Sequence, residues 1–226
     1  MLTETQHEVV KRSPLSETLL KMGAVIRVDR GWEEVAHFTS PQEEAVTVRR
    51  AVGLADWSSI PKFDLQGRDL NSPPALGEQV HSWRLRPGRY LVTCRPPDRD
   101  LVEGELNRYV AAAGASSNRA YLTDVTSGYA ALLLAGPLSP EVLRKLVDLD
   151  VSDAAFPNLT CVQTGVHDTY SILLRRDTQS LKAYLILVNR EYGEWLWETV
   201  LDAGAECGIQ PFGSAAHELL TNTCIW

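Results

Sequence analysis

The side chains able to do metal, nucleophilic or acid–base chemistry are all present in this chain, but few stand at the spacing such chemistry needs. Five histidines, His7, His37, His81, His167 and His217, show no metal-ligand spacing, so no metal site is expected. Four cysteines, Cys94, Cys161, Cys207 and Cys224, are scattered without close pairing, which fits small buried residues in a reducing compartment better than disulfides. Asp56 and Asp124 each border strand-like residues, where a carboxylate serves a turn or a cap more often than proton transfer. Trp195 and Trp197 fall in a helix-like stretch at packing spacing rather than as a stacking platform. There is no glycine-rich phosphate loop, serine-centred elbow or paired-carboxylate motif. Residue spacing alone names no reaction.

Composition narrows the class further. The 226 residues allow one large domain or two intimately packed small ones, and the expected division is a loose segment 1–12 followed by two α+β lobes over 13–226. With 22 basic against 29 acidic side chains the net charge is −7, and no Lys/Arg block stands out, which argues against nucleic acid as a partner. The longest apolar runs, 130–135 and 184–188, fall far short of the ~20 residues of a membrane helix, and MLTETQHEVVKRS lacks the apolar core of a signal peptide. A cytoplasmic protein is expected.

The elements that must position any site can be read in outline. Ser40 suits an N-cap, Pro41 the first turn and Glu43 the third position of a helix ending at Gly53, with Val46, Val48 and Val52 as its apolar positions. Leu54 to Trp57 and Lys62 to Leu65 read as strands around a Ser58-Ser59-Ile60-Pro61 bend. A short helix over 13–22 and a strand over 25–28 precede them. Strands 80–85 and 89–94 form a hairpin through Arg86-Pro87-Gly88, and 98–113 has helical spacing. Strands follow at 121–125 and 129–135, then a helix capped by Ser139 with Pro140 in its first turn. Further strands are expected at 160–164, 170–175 and 181–188. The last helix, 191–206, places Tyr192, Trp195, Leu196, Val200 and Ala203 on one face. FDLQGRDL from Phe63 and LLLAGPLSPEVL from Leu132 form a faint internal echo. Strands, hairpins and helices mixed in this way predict an α+β fold.

The order of residues in AVGLADWSSIPKFDLQG, Ala51 to Gly67, resembles the start of the folate-binding domain in the glycine-cleavage T-protein (aminomethyltransferase) superfamily. DVTSGYAALLLAGPLSPEVLRKL from Asp124 and YLILVNREYGEWLWETVLDAGAECGIQPFG from Tyr184 match it in the same order, as do SPLSETLLKMGA and Gly31-Trp32-Glu33 upstream. The likeness runs from about Ser13 to Glu218. It implies two packed ferredoxin-like or similar T-protein-like subdomains with tetrahydrofolate between them, and no C-terminal β-barrel domain within this chain. The phrase LAGPLSPEVLRKLVDLDVSDAAFP with the following Gln163-Thr164 is most similar to the gamma-subunit branch of heterotetrameric sarcosine oxidase. That branch implies a larger flavoprotein partner, or self-association.

Carried over position by position, the resemblance also marks what has changed. The family's catalytic aspartate belongs in 77–88, which has no Asp. Its folate-contacting asparagine falls on Thr93, its pterin-holding glutamate near Leu181 or Lys182, and a later arginine on His217, followed by Glu218. Ile60 stands at a folate-contacting methionine and Phe156 at a phenylalanine. The pterin edge carries adjacent N–H donors, for which an ionised carboxylate is the natural grip. The expected cofactor-binding residues are therefore Ile60, Thr93, Phe156 and His217, with no catalytic residue assigned. The resemblance implies a folate-binding domain of glycine or sarcosine one-carbon metabolism with weak or lost catalysis. The alternatives are an active aminomethyltransferase, with Glu194, Asp177 or Glu218 as substitute carboxylates, and a structural subunit that binds no folate.

Overall fold

The first helix of any length shows how local chemistry sets the frame. In the computed structural model, which describes residues 9–221 except 69, 71, 73, 78, 79, 116–118, 179 and 180, helix α2 (Pro41–Arg50) begins where its cap predicts. The Ser40 Oγ accepts from the Glu43 backbone N–H at 3.3 Å and donates to the Glu43 carboxylate at 2.9 Å. Its buried side is Glu44, Ala45 and Val48, whereas Val46 faces solvent. Glu44 is buried because its carboxylate accepts from the N–H groups of Phe38, Thr39 and Gly213, joining the turn before α2 to a segment far along the chain.

The other helices are α1 (Ser16–Lys21), α3 (Arg99–Ala115), α4 (Ser139–Arg144), α5 (Gly193–Gly204) and α6 (Ser214–Thr221). The strands are β1 (Val25–Asp29), β2 (Trp32–His37), β3 (Gly53–Asp56), β4 (Lys62–Gly67), β5 (His81–Arg86), β6 (Arg89–Thr93), β7 (Ala120–Asp124), β8 (Tyr129–Ala135), β9 (Cys161–Val166), β10 (Thr169–Arg175), β11 (Ala183–Asn189) and β12 (Gln210–Pro211). They form a six-stranded sheet in the order β12-β3-β8-β11-β10-β9, a four-stranded sheet β5-β6-β4-β7, and a hairpin of β1 and β2. Apart from the parallel β12–β3 pair, all neighbours are antiparallel, so the fold is α+β as expected.

The chain crosses between the two larger sheets twice, and the faint sequence echo begins in the strand that follows each crossing. Strand β3 belongs to the six-stranded sheet and leads into β4 of the four-stranded one; β7 belongs to the four-stranded sheet and leads into β8 of the six-stranded one. The hydrogen bonds repeat. Asp56 accepts from the backbone N–H and hydroxyl of Ser58, and Asp124 accepts from the same groups of Thr126. Trp57 N–H donates to the Ala131 carbonyl, as Val125 N–H donates to that of Lys62. The Ser58 hydroxyl accepts from Ala131 N–H, as the Thr126 hydroxyl accepts from Lys62 N–H. Both aspartates thus have the turn-forming duty their positions predict.

Strand alternation sorts the apolar side chains into separate cores. Ala130, Leu132 and Leu134 of β8 and Tyr184, Ile186 and Val188 of β11 face a core closed by α1, α4 and α5. Ala131, Leu133, Leu185 and Leu187 face the opposite way, into a core shared with Trp57, Ile60, Trp83 and Leu91. Phe63 and Leu65 of β4 turn to a third core with Val102 and Leu106 of α3.

Several elements differ from the sequence expectation. The end of the segment expected to be loose is tied down: Lys11 N–H bonds the Gly31 carbonyl and its own carbonyl accepts from Glu33. Strand β2 and helix α6 were not legible. The helix near residue 140 begins at Ser139, whose hydroxyl donates to the Gly136 carbonyl instead of capping. Helix α5 is rotated by about one residue from its expected face, burying Gly193, Leu196, Trp197, Val200 and Gly204 while Trp195 is 39% exposed. The reason lies at Gly193, where any Cβ would stand 2.8 Å from that of Ala130. The terminal Cys224-Ile225-Trp226 lies outside the described residues.

Candidate functional site

A cavity of ≈ 150 Å³ opens beside the first crossing. Its floor is the bend itself, with Asp56, Trp57, Ser59 and Ile60. Strands β1 and β2 contribute Arg27, Asp29, Glu34 and Val35, helix α6 adds Ser214, His217 and Glu218, and Pro96 and Pro97 close the apolar side. Each wall is held by a local device. Arg27 and Glu34 are partners across the β1–β2 pair. Helix α6 can approach β2 only because residue 213 is glycine, since a Cβ there would lie 2.2 Å from the Ala36 carbonyl oxygen. The Ser214 hydroxyl then donates to the Val35 carbonyl at 2.9 Å.

Beneath the floor lies a fully buried lysine. Lys62 Nζ donates to the carbonyls of Ser58 and Ile60 at 3.0 and 2.7 Å, which fixes the bend in shape. Burial pushes its pKa down to about 7, against the opposing pull of Asp56 and Asp124. Asp56 moves the other way: burial raises it, opposed by hydrogen bonds from Ser13 and Ser58 and by Lys62. Glu34 is also raised by burial, against its hydrogen bond from Ser59 and the charge of Arg27. The His217 ring, 3% exposed and 4.6 Å from the Trp57 ring, is pushed down to about 4 by burial and is neutral at physiological pH. The cavity therefore presents carboxylates and a neutral imidazole around apolar walls. Among the described residues, no His/Cys/Asp/Glu group is arranged to hold a metal ion.

Of the residues expected to bind a ligand, the cavity brings together Ile60 and His217. Thr93 is fully buried on β6, where its hydroxyl accepts from the Trp83 indole at 2.9 Å. Phe156 lies on the far side of the six-stranded sheet in the core with α5, its ring stacked 6.2 Å from Tyr184. It does not line this cavity, because the sheet separates the two cores. Glu218 reaches the cavity and pairs with Arg27 at 3.1 Å. Glu194 instead accepts from the Thr18 hydroxyl, and Asp177 pairs with the buried Arg175.

The segment where the family resemblance expects a pterin-holding glutamate is occupied differently. Leu181 is buried in the same core as Ile60, while Lys182 reaches outward to Asp153. Arg175 binds Asp177 and Asp153, each at 2.7 Å, and donates to the Phe156 carbonyl. Glu34, Arg27, Trp57 and Ser59 are among the cavity residues that sequence reasoning missed. The alternation of Trp32-Glu33-Glu34-Val35 held no clean strand signal, since Glu33 and Glu34 are both only half-buried.

Comparison with known proteins agrees with this architecture. A family model described as the GCVT N-terminal domain matches residues 78–222, more than half of the chain, and the chain belongs to that family. It is 30% identical over 234 residues to the aminomethyltransferase of Geobacillus thermodenitrificans (strain NG80-2), covering 94% of this chain and 63% of the relative. It is 27% identical over 244 residues to sarcosine oxidase subunit alpha of Rhizobium meliloti (strain 1021), covering 90% of this chain and 24% of that subunit. The chain thus spans less than two thirds of the length of these relatives. Among solved structures, the glycine cleavage system aminomethyltransferase T of Bartonella henselae superposes with a TM-score of 0.72 at 17% identity, over 95% of this chain and 63% of that one. A chain of the heterotetrameric sarcosine oxidase of Corynebacterium sp. U-96 superposes with a TM-score of 0.58 at 19% identity, over 87% of this chain and 95% of that one. Both show the shared fold. No helix among the described residues is long and apolar enough to cross a membrane.

Proposed function

We propose that this chain is a cytoplasmic aminomethyltransferase-type domain of one-carbon metabolism that binds tetrahydrofolate by its pterin ring and has weak or no transfer activity. The observation that carries this reading is the cavity at the first crossing, walled by Ile60 and by the neutral His217 against Trp57. At ≈ 150 Å³ it matches the size of an engineered cavity that holds benzene, below the ~300 Å³ at which pockets for whole drug-sized ligands begin. That is room for one six-membered ring, the aminopyrimidine half of the pterin, with the second ring and the flexible tail toward the opening. The case for weak catalysis is the missing aspartate in 77–88, the segment where the resemblance places the transferase's acid–base group.

Calorimetric titration with tetrahydrofolate tests the reading. Saturable binding in the micromolar range, lost in Ser59→Trp, which fills the cavity from a half-buried position, supports it. Absence of binding up to millimolar ligand overturns it.

A second reading is favoured by one observation: the sarcosine oxidase superposition takes in 95% of the other chain, so a protein of this extent occurs within a heterotetramer. On that reading the chain is a structural subunit of a flavoprotein assembly. Co-purification in fixed stoichiometry with a polypeptide bearing flavin absorbance supports it, and a chain that remains free of such a partner when the two are mixed counts against it.

A further inference from the structure

The carboxylates around the cavity differ in how much acceptor capacity they have left. Asp56 is engaged by the backbone N–H and hydroxyl of Ser58. Glu218, on the outer wall, is held by Arg27 at 3.1 Å, and Asp29 faces solvent beside Arg30. Glu34 is the exception. Its side chain is 14% exposed; Oε1 accepts from the Ser59 hydroxyl at 2.7 Å, while Oε2 has only the Arg27 guanidinium at 3.8 Å, beyond hydrogen-bond reach. An ionised carboxylate has about four acceptor sites, so Glu34 keeps most of its capacity beside the cavity. Two donors there are also unused: among the described residues, the indole Nε1–H of Trp57 and the Nε–H of Arg27 are buried with no partner. Trp57 is 6% exposed, so water does not meet its N–H as it would at a surface.

A ligand that satisfies this set carries N–H donors for Glu34 beside an acceptor for Trp57 or Arg27, on a flat ring that fits between Ile60, Pro96 and Pro97. A 2-amino-4-oxopyrimidine edge has this pattern of two adjacent N–H donors next to a carbonyl. We infer that Glu34 is the residue that grips the aminopyrimidine edge of the ligand, in place of the carboxylate missing around Leu181 and Lys182. This rests on the folate-site reading above and adds to it the residue that sets specificity. Burial disfavours the ionised form of Glu34, and a donor edge docking on it would restore that form.

The test titrates the full chain with tetrahydrofolate and with 6-methyltetrahydropterin, which is the ring without the tail. A charge-assisted pair of hydrogen bonds is worth about tenfold to a hundredfold in affinity. Glu34→Gln, which places an amide against the donor edge, is expected to weaken both ligands at least tenfold, while Glu141→Gln on α4, whose partner is Arg144 and which does not line the cavity, leaves them within twofold. Glu34→Asp keeps the charge that faces Arg27 and withdraws the oxygens by one methylene; it covers the case in which the glutamine variant does not fold, and is expected to weaken binding at least several-fold. Wild-type binding that persists within twofold in a folded Glu34 variant overturns the role of Glu34 and leaves the folate site standing. No wild-type binding of either ligand overturns both.

Discussion

The two crossings between the sheets use one hydrogen-bond device and reach opposite outcomes. At the second, the charge of Asp124 is met by Arg99 at 2.8 Å, whose guanidinium also lies 5.3 Å from the Phe63 ring, so the corner is filled by a cation from α3. At the first, the corresponding aspartate has Lys62 beneath it and a cavity beside it, bounded by β1, β2 and α6. Burial raises the Asp124 pKa, but hydrogen bonds from Thr126 and Arg99 outweigh it and hold the group below its ordinary value, whereas Asp56 is held above. The same local motif therefore closes a filled corner at one end and borders a cavity at the other. What separates them is the third layer that covers each corner.

Three measurements can break or sharpen this contrast. The largest effect expected is acid instability of the first corner. His217 has its folded pKa lowered from 6.5 to about 4, so the unfolded chain takes up a proton that the folded one refuses. Stability is full above pH 6.5 and falls by roughly 3 kcal/mol as the pH drops to about 4. Urea denaturation across that range should lose this component in His217→Gln; an unchanged profile would place the acid sensitivity elsewhere.

Lys62 should act at the alkaline side. Its folded pKa is about 7 against 10.5 unfolded, so the folded form sheds its proton first and stability rises with pH between the two values. Relative to Lys62→Met, the wild type should gain roughly 3 kcal/mol from pH 7 to 9. Equal slopes would mean that the buried ammonium keeps its ordinary affinity for protons.

The smallest effect compares the aspartates directly. Asp124→Asn should cost about 1–2 kcal/mol at neutral pH through the weakened Arg99 contact. Because its folded pKa is lowered, the stability Asp124 supplies is present above pH 3.8 and is lost as the pH falls through the folded value. Asp56, with its pKa raised, has the opposite sign: its cost to stability grows as the pH rises from 3.8 to its folded value and is complete above it, so Asp56→Asn should be close to neutral or stabilising at pH 7. Thermal melts of both variants at neutral pH check the order; equal losses would show the two corners to be equivalent, and a more damaging Asp56→Asn would reverse the contrast.

Much of the frame was legible because it is local. The capping box at Ser40, the hairpin through Arg86-Pro87-Gly88 and the bend 58–61 each depend on residues within a few positions of one another. The internal echo was legible too, whereas the repeated hydrogen bonds of the crossings just before it were not. Ile60 and His217 were reachable through the family resemblance, and both line the cavity. Glu34 and Trp57 were not, since neither stands in a pattern that says which way its side chain points.

By itself the sequence determined the α+β class, the family and the turn roles of Asp56 and Asp124, because periodicity, caps and short motifs act over a few residues. Only the tertiary structure decided which aspartate corner is open. The cavity walls come from residues 27–35, 56–60, 96–97 and 214–218, and their meeting depends on strand crossing and on the close approach allowed at Gly213. Burial then sets the chemistry: the same carboxylate, imidazole or ammonium would titrate ordinarily in water, and it is desolvation between packed layers that raises Glu34 and lowers His217 and Lys62.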